Sequence, residues 1–371
     1  MNKTHPAYWE LFPTLDHIVP VTRGGPDHED NLVSTSMLRN SAKANWTLEE
    51  LGWSIHPPGD MNQWDGKLAW CMEFAKKDEE IIKDKYISEP RTLQMTDGSD
   101  KTSPILRHKD YDQQSVFVPE NLLREARRQK ATRDGDVPSI CVLDPDGDIV
   151  RHLLAENKAK LNPYWACYHT QMYNFRHGGV EFGIIGCAVG SSFAVLVAEE
   201  LFASGCQFLI SVTSSGQILP KGKPPFFVLI ERALRDEGTS YHYLSPSDYS
   251  HIDESLLNIL SGAFVSLTVP VYQGSTWTTD APFRETLQAV EHARAAGILA
   301  VEMEAAALYA FARARHKSVV CFAHVTNQMG NIDGDFEKGE SSGSRDALQV
   351  ISLTAKLWCA AKAQCVLVET V

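Results

Sequence analysis

The rhythm of apolar and polar positions changes near Val137. Beyond it, short β-rich apolar runs ("SICVLD", "EFGIIGCAVG", "QFLISVTSSG", "FVSLTVPVYQG", "SVVCFAHVT") alternate with longer runs such as "SSFAVLVAEELFASG", "LAVEMEAAALYAFARAR" and "ALQVISLTAKLWCAAKA". That alternation predicts a central sheet covered by helices on its faces. Before it, residues 1 to about 88 are rich in Trp, His and Pro-Gly turns. They close with "WDGKLAWCMEFAKKDEEIIKDKY", whose apolar positions recur at helical spacing, so a small domain ending in a helix is predicted. Residues 89 to about 135 are polar and read as a linker with one helix from "VPENLLREARRQ", where Pro119 and Glu120 suit the first turn.

Within the first domain, "TLDHIVPV" reads as a strand, Gly24, Gly25 and Pro26 as a loop, "NLVSTS" as a second strand and "SMLRNSAKAN" as a helix. A ββα unit of this kind brings Asp16, His17 and Asn40 around one point. A hard cation on oxygen ligands beside a neutral imidazole suits phosphodiester hydrolysis: the metal polarises the phosphoryl oxygen and the histidine deprotonates a water. These residues resemble the HNH endonuclease family in Asp16-His17-Ile18-Val19-Pro20, the Gly24-Gly25 turn, Asn31-Leu32 and Asn40-Ser41-Ala42-Lys43. The resemblance implies that Asp16 and Asn40 hold Mg2+ or Mn2+, that His17 is the general base and that Asn31 braces the loop orienting it. Many members carry zinc-binding cysteine pairs; Ser36 and Arg39 stand at the second pair here, so this copy must hold by packing.

In the second domain, "GILAVEMEAAALYAFA" sets Glu302 and Glu304 two apart between a strand and a helix. Two carboxylates there need partners such as sugar hydroxyls, because burying an unpaired charge is costly. The stretch resembles the nucleoside phosphorylase and nucleosidase superfamily, which breaks N-glycosidic bonds. "GDIVRHLLAE" is similar to its phosphate loop, "GIIGCAVGSSFAVLVAEEL" to its glycine turn and helix, and "STWTTDAPFRET" to its base-site loop. The resemblance implies that Gly147, Arg151 and Ser214 cradle an anion, that Met303 and Glu302 line the ribose and base, that Glu304 accepts from the 2′ and 3′ hydroxyls, and that Phe283 lies near the base. Such a site fixes the sugar, presents a nucleophile and helps the base leave as positive charge builds on the ribosyl carbon.

Two departures qualify that pattern. In "ISVTSSG" a phosphate-binding arginine is replaced by Ser211 and a glycine by Thr213, which puts phosphate as co-substrate in doubt and favours water. At the position of an acidic residue stands Asn327, which donates hydrogen bonds to a base without delivering a proton; His324 and Asp333 are nearby substitutes.

The fold expected is therefore α/β: a ββα-metal domain over 1–88, a linker with a basic helix over 89–135, and a three-layer α/β/α domain with a mixed central sheet over 136–371. The length of 371 residues suits two unequal domains, and 43% hydrophobic with 22% charged residues is ordinary for a globular chain. A net charge of −12 excludes nonspecific coating of DNA, so nucleic-acid contact must be local; Arg124, Arg127, Arg128, Lys130 and Arg133 are a candidate patch. No apolar run reaches membrane-span length, the start lacks the layout of a signal peptide, and the eight cysteines show no CxxC, so a cytoplasmic location with reduced thiols is the expectation.

Three readings follow. The first is a two-activity enzyme that cuts nucleic acid, DNA by expectation, and cleaves a nucleoside or nucleotide, with hydrolysis ahead of phosphorolysis. In the second, the phosphorylase-like domain senses a nucleotide without turnover and regulates the nuclease. In the third, one domain is a vestigial docking module. Joining two such domains points by analogy to antiviral defence, and the resemblance implies a homo-oligomer, dimer to hexamer, whose several nuclease copies add through effective concentration.

Overall fold

The computed structural model describes residues 13–55, 103–329 and 334–368. The helix expected from Trp64 to Tyr86 and the candidate Asp333 lie outside the described residues. The chain divides into two compact units, Met1–Asp100 and Lys101–Val371.

The first unit contains strands β1 (Pro13–His17) and β2 (Leu32–Ser36) and helix α1 (Met37–Lys43). The strands pair antiparallel, with Asp16 opposite Val33 and His17 opposite Leu32. Ser36 ends β2 and starts α1 because its hydroxyl accepts from Arg39 N–H, an ordinary N-cap. The ββα arrangement is thus as expected.

The second unit begins with α2 (Pro119–Lys130), whose apolar face, Leu123 and Ala126, is buried with Ala166. The segment read as a linker is therefore, from Lys101 on, part of this unit. The chain continues through β3 (Ile140–Asp144), α3 (Asp148–Ala155), β4 (Ala159–Leu161), β5 (Met172–His177), β6 (Val180–Gly186) and α4 (Ser191–Ala203). It then runs through β7 (Phe208–Gln217), β8 (Phe226–Asp236), β9 (Tyr249–His251), α5 (Glu254–Leu260), β10 (Val271–Thr279) and α6 (Leu287–Ala295). Last come β11 (Ala300–Glu302), α7 (Ala305–Arg315), β12 (Ser318–Asn327) and α8 (Ser344–Val368).

The strands form one mixed sheet in the order β11-β10-β8-β12-β7-β3-β6-β5-β4, and β11 also pairs with β7. That extra pairing closes β7, β12, β8, β10 and β11 into a ring, so half of the sheet is a small barrel. β3 and β7 are buried along nearly their whole length, which is why they read as continuous apolar runs. β3, β6, β7 and β12 run parallel to their neighbours in this stretch, so their carboxyl ends open on one side. Ligand sites of α/β sheets form at such ends.

Candidate active site

β11 ends at Glu302 and α7 begins after Glu304, and the two carboxylates have different jobs. Glu302 is 3% exposed and is fully occupied within the protein. It accepts from the hydroxyls of Thr276 and Thr278 on β10 and from the backbone N–H of Glu304 and Ala305, both at 2.7 Å. Four donors offset much of the cost of burying a carboxylate, and the two amides are the otherwise unpaired donors at the start of α7. The residue expected beside the ribose and base is thus a brace for the turn.

Glu304 is 1% exposed. Its Oε1 accepts from Gly190 N–H at 2.7 Å, at the start of α4, while Oε2 has no partner among the described residues. Burial, and then the like charge of Glu302, push its carboxyl up to about 8. A buried carboxylate oxygen left unsatisfied costs stability unless a ligand completes it. Met303 is half-buried, and its carbonyl accepts from the Ser191 hydroxyl at 2.7 Å, which locks the glycine turn against the Glu304 loop.

The residues expected to cradle an anion meet carboxylates of the chain instead. Gly147 adopts φ +75, and a Cβ there would lie 2.8 Å from Cys187 Sγ and from an Arg151 nitrogen, so the turn requires glycine. Ser214 N–H and hydroxyl both donate, at 2.8 and 2.7 Å, to the carboxylate of Asp146, which precedes that glycine. Arg151 donates to the Asp146 carbonyl and the Asp148 carboxylate, and Lys338 to the other oxygen of Asp148. Beneath them Asp144 accepts from Gly147 and Val150 N–H, and burial pushes its carboxyl up to about 7. Each expected anion-binding group therefore faces a carboxylate of the chain itself. Asp146 was not singled out from the sequence; the only cue was its place one residue before the phosphate-loop glycine.

The remaining candidates are placed as follows. Ser211 is 1% exposed with its hydroxyl unpartnered, so no cation stands where the family pattern has one. Asn327 spends its amide on structure, donating to Ser215 O and Thr326 Oγ1 and accepting from Met329 N–H. Its expected hydrogen bond to a base is replaced by a brace at the end of β12. His324 lies opposite Ser214 in the register of β12 and β7 and stacks on Phe227 at 4.4 Å. Burial pushes it down to about 4, so it is neutral near pH 7 and, with Nε2 unpartnered, offers a hydrogen bond rather than a stored proton. Phe283 is 99% exposed on the Pro282–Arg284 turn.

In the first unit, Asn31 is buried beneath the loop that follows His17. Its Oδ1 accepts from Val19 N–H, and its Nδ2 donates to the carbonyls of Val19 and Pro26, tying the loop after His17. His17 Nε2 lies 3.0 Å from Asp27. The metal donors are otherwise engaged: Asp16 pairs with the buried Lys43 ammonium at 3.2 Å, and Asn40 Nδ2 donates to Thr14 Oγ1 and Leu15 O. Among the described residues no group of three or more His, Cys, Asp or Glu is poised to hold an ion. An ammonium against the sole carboxylate of the set does not fit a divalent cation.

The raised carboxyls have a stability consequence. Glu304 keeps its proton up to about pH 8 when folded, whereas its ordinary value is 4.5. Between those values the unfolded chain has released a proton that the folded chain retains, so stability falls as pH rises through this window. The thermal midpoint of the ligand-free protein is expected to drop from pH 5 to pH 8, and Glu304→Gln to flatten that slope, with Asp144 keeping part of it. Scanning fluorimetry at closely spaced pH values reads this directly; parallel slopes in the two proteins would refute it.

Comparison with known proteins places the second unit in a family. Residues 139–355, more than half of the chain, match the phosphorylase superfamily. A guanosine phosphorylase of Halorubrum lacusprofundi is 24% identical over 222 residues, covering 57% of this chain and 84% of the relative. A uridine phosphorylase of Thermococcus kodakarensis is 26% identical over 241 residues, with the same coverage of 57% and 84%. Among solved structures, purine nucleoside phosphorylase from Toxoplasma gondii in complex with immucillin-H superposes with a TM-score of 0.53 at 16% identity, covering 62% of this chain and 93% of that one. Uridine phosphorylase from Vibrio fischeri superposes with a TM-score of 0.52 at 22% identity, covering 67% and 98%. At these identities the structural likeness speaks for the fold alone. No described helix is long and apolar enough to cross a membrane.

Proposed function

Because this chain belongs to the phosphorylase superfamily, we propose that its second unit cleaves the N-glycosidic bond of a nucleoside-type substrate with water, as a nucleosidase. One observation carries the choice of water: the Asp146 carboxylate occupies both Ser214 donors that an attacking phosphate would need. Two unit charges 4 Å apart at an effective dielectric near 20 repel by about 4 kcal/mol, enough to outweigh the hydrogen bonds phosphate would gain. The same carboxylate is a base beside the sugar. Glu304 accepts from the ribose hydroxyls through its free oxygen, Asp146 takes a proton from water as its oxygen bonds to the ribosyl carbon, and the base leaves with the bonding pair and takes a proton from solvent. The test is release of free base from a panel of purine and pyrimidine nucleosides and nucleotides, with and without phosphate. Equal release in both conditions is expected; release only with phosphate would overturn hydrolysis. Saturable binding with no release would support the sensing reading instead.

A nuclease role for the first unit is a second reading, favoured by the ββα frame and the Asn31-braced loop that presents His17. It is checked by plasmid nicking with and without added Mg2+ or Mn2+, compared with His17→Ala. Nicking that persists in the variant would remove it. DNA as partner, a role in antiviral defence and a homo-oligomeric assembly belong to the same reading, and sedimentation showing only monomer would remove the last.

A further inference from the structure

We propose that a cavity between the start of α2 and α4 is a second binding site, which takes an organic cation whose planar amidinium or guanidinium group pairs with Glu200. The segment "QSVFVPENL" opens α2 at Pro119, ahead of the region 139–355 that matches the superfamily, so this wall lies outside the matched region. With α4, the turn at His242 and the end of α7 it encloses about 680 Å³, within the range of roughly 300–1,000 Å³ in which small-molecule pockets fall. Phe117, Val118, Leu122, Leu196 and Tyr243 supply an apolar lining. Glu304, Asp146 and Ser214 take no part in the wall, so the site is separate from the one built on them.

The charged groups of the wall differ in how they are spent. Glu199 accepts from the Tyr243 hydroxyl at 3.0 Å and from Arg315 Nε at 3.4 Å, and Arg315 also donates to the Ser115 hydroxyl. His242 Nδ1 accepts from the Lys109 ammonium at 2.7 Å, so its ring is uncharged. Lys317 stands over the Phe202 ring, 5.4 Å from its centre. Glu200 is different: it is 2% exposed, and neither carboxylate oxygen has a hydrogen-bond partner among the described residues. Burial raises its carboxyl above the usual range, against smaller pulls from the nearby Cys167 thiol, His169 and Lys130. A carboxylate stranded in this way costs stability. Two N–H groups of a planar cation satisfy both oxygens at once and restore the ionised form. The apolar lining suits the body that carries such a cation, and the exposed Glu120 adds a further negative charge to the wall. A small amidine and the arginine side chain of a peptide share this chemistry.

Calorimetric titration of the full chain with benzamidine, with N-acetyl-arginine methylamide and with benzamide, the neutral isostere of benzamidine, tests the proposal. At least one of the two cations is expected to bind saturably and about tenfold or more tightly than benzamide, and Glu200→Gln to weaken that cation about tenfold, the scale of a hydrogen bond to a charged group. Leu196→Trp narrows the cavity from a 38% exposed position on α4, and it is expected to weaken the cation likewise while leaving Glu200 in place. Glutamine keeps the shape of the buried side chain, and circular dichroism verifies that both variants are folded. Binding by benzamidine assigns the site to a small aromatic cation, and binding by the arginine derivative alone assigns it to a peptide side chain. Failure of both cations to bind, benzamide binding as tightly as they do, or an affinity untouched by either substitution would each overturn it.

Discussion

Asp146→Ala is expected to lower base release into water by a factor of about 10² to 10⁴, the range a positioned general base contributes, and to make the remaining rate respond to phosphate. Both effects have one cause. The wild-type carboxylate holds the Ser214 N–H and hydroxyl and sits where a proton must be taken from the nucleophile. Removing it frees the two Ser214 donors on β7, which face the Gly147 turn ahead of Arg151, and it deletes the charge that repels an incoming anion. Asp146→Asn separates the two roles. An asparagine carbonyl still accepts one Ser214 bond but is a poor base, so hydrolysis is lost with little gain in phosphate response. Base release followed by chromatography against phosphate concentration measures both. A variant that hydrolyses like wild type, or an alanine variant indifferent to phosphate, would count against Asp146 in this role.

Glu304→Gln is expected to reduce kcat/KM about a hundredfold or more while leaving a folded protein, whereas Glu302→Ala is expected to damage the fold itself. Glu304 has one committed oxygen and one open oxygen, so its carboxylate is available to a ligand that supplies hydroxyl donors. Hydrogen bonds strengthened in the transition state contribute on this scale. Glu302 by contrast satisfies four donors in a dry interior, and stranding them costs about 3 kcal/mol or more. Circular dichroism and thermal midpoints beside the rate measurements distinguish the two acids. Similar activity loss at unchanged stability in both variants would show that Glu302 also meets the substrate, as the sequence pattern alone had it.

Much of the site was legible in residue types at fixed spacing. Gly147 with Arg151 and the Glu302-Met303-Glu304 run each lie where a strand gives way to a helix, and Ser214 lies in the apolar run of β7 that pairs with β3. What was illegible was how each polar group is spent. Glu302 and Glu304 look equivalent two residues apart, yet the parallel register of β10 and β11 puts the Thr276 and Thr278 hydroxyls on the first. Asn327 illustrates the same point: family position marked it for the base, while local hydrogen bonding claims its amide.

By itself the amino-acid sequence determined the two-part plan, the ββα frame of the first unit and the alternating strands and helices of the second, and it puts Ser211 where the family resemblance has an arginine. These are properties of neighbouring residues, and apolar periodicity and turn chemistry encode them locally. Only the tertiary structure decided that five strands close into a ring, that Lys43 neutralises Asp16, and that Asp146 meets Ser214 across 68 residues of chain. Contacts of that kind depend on which buried surfaces pack together. Residues that resemble an anion cradle in the primary structure can therefore meet, in the folded molecule, one of the chain's own carboxylates.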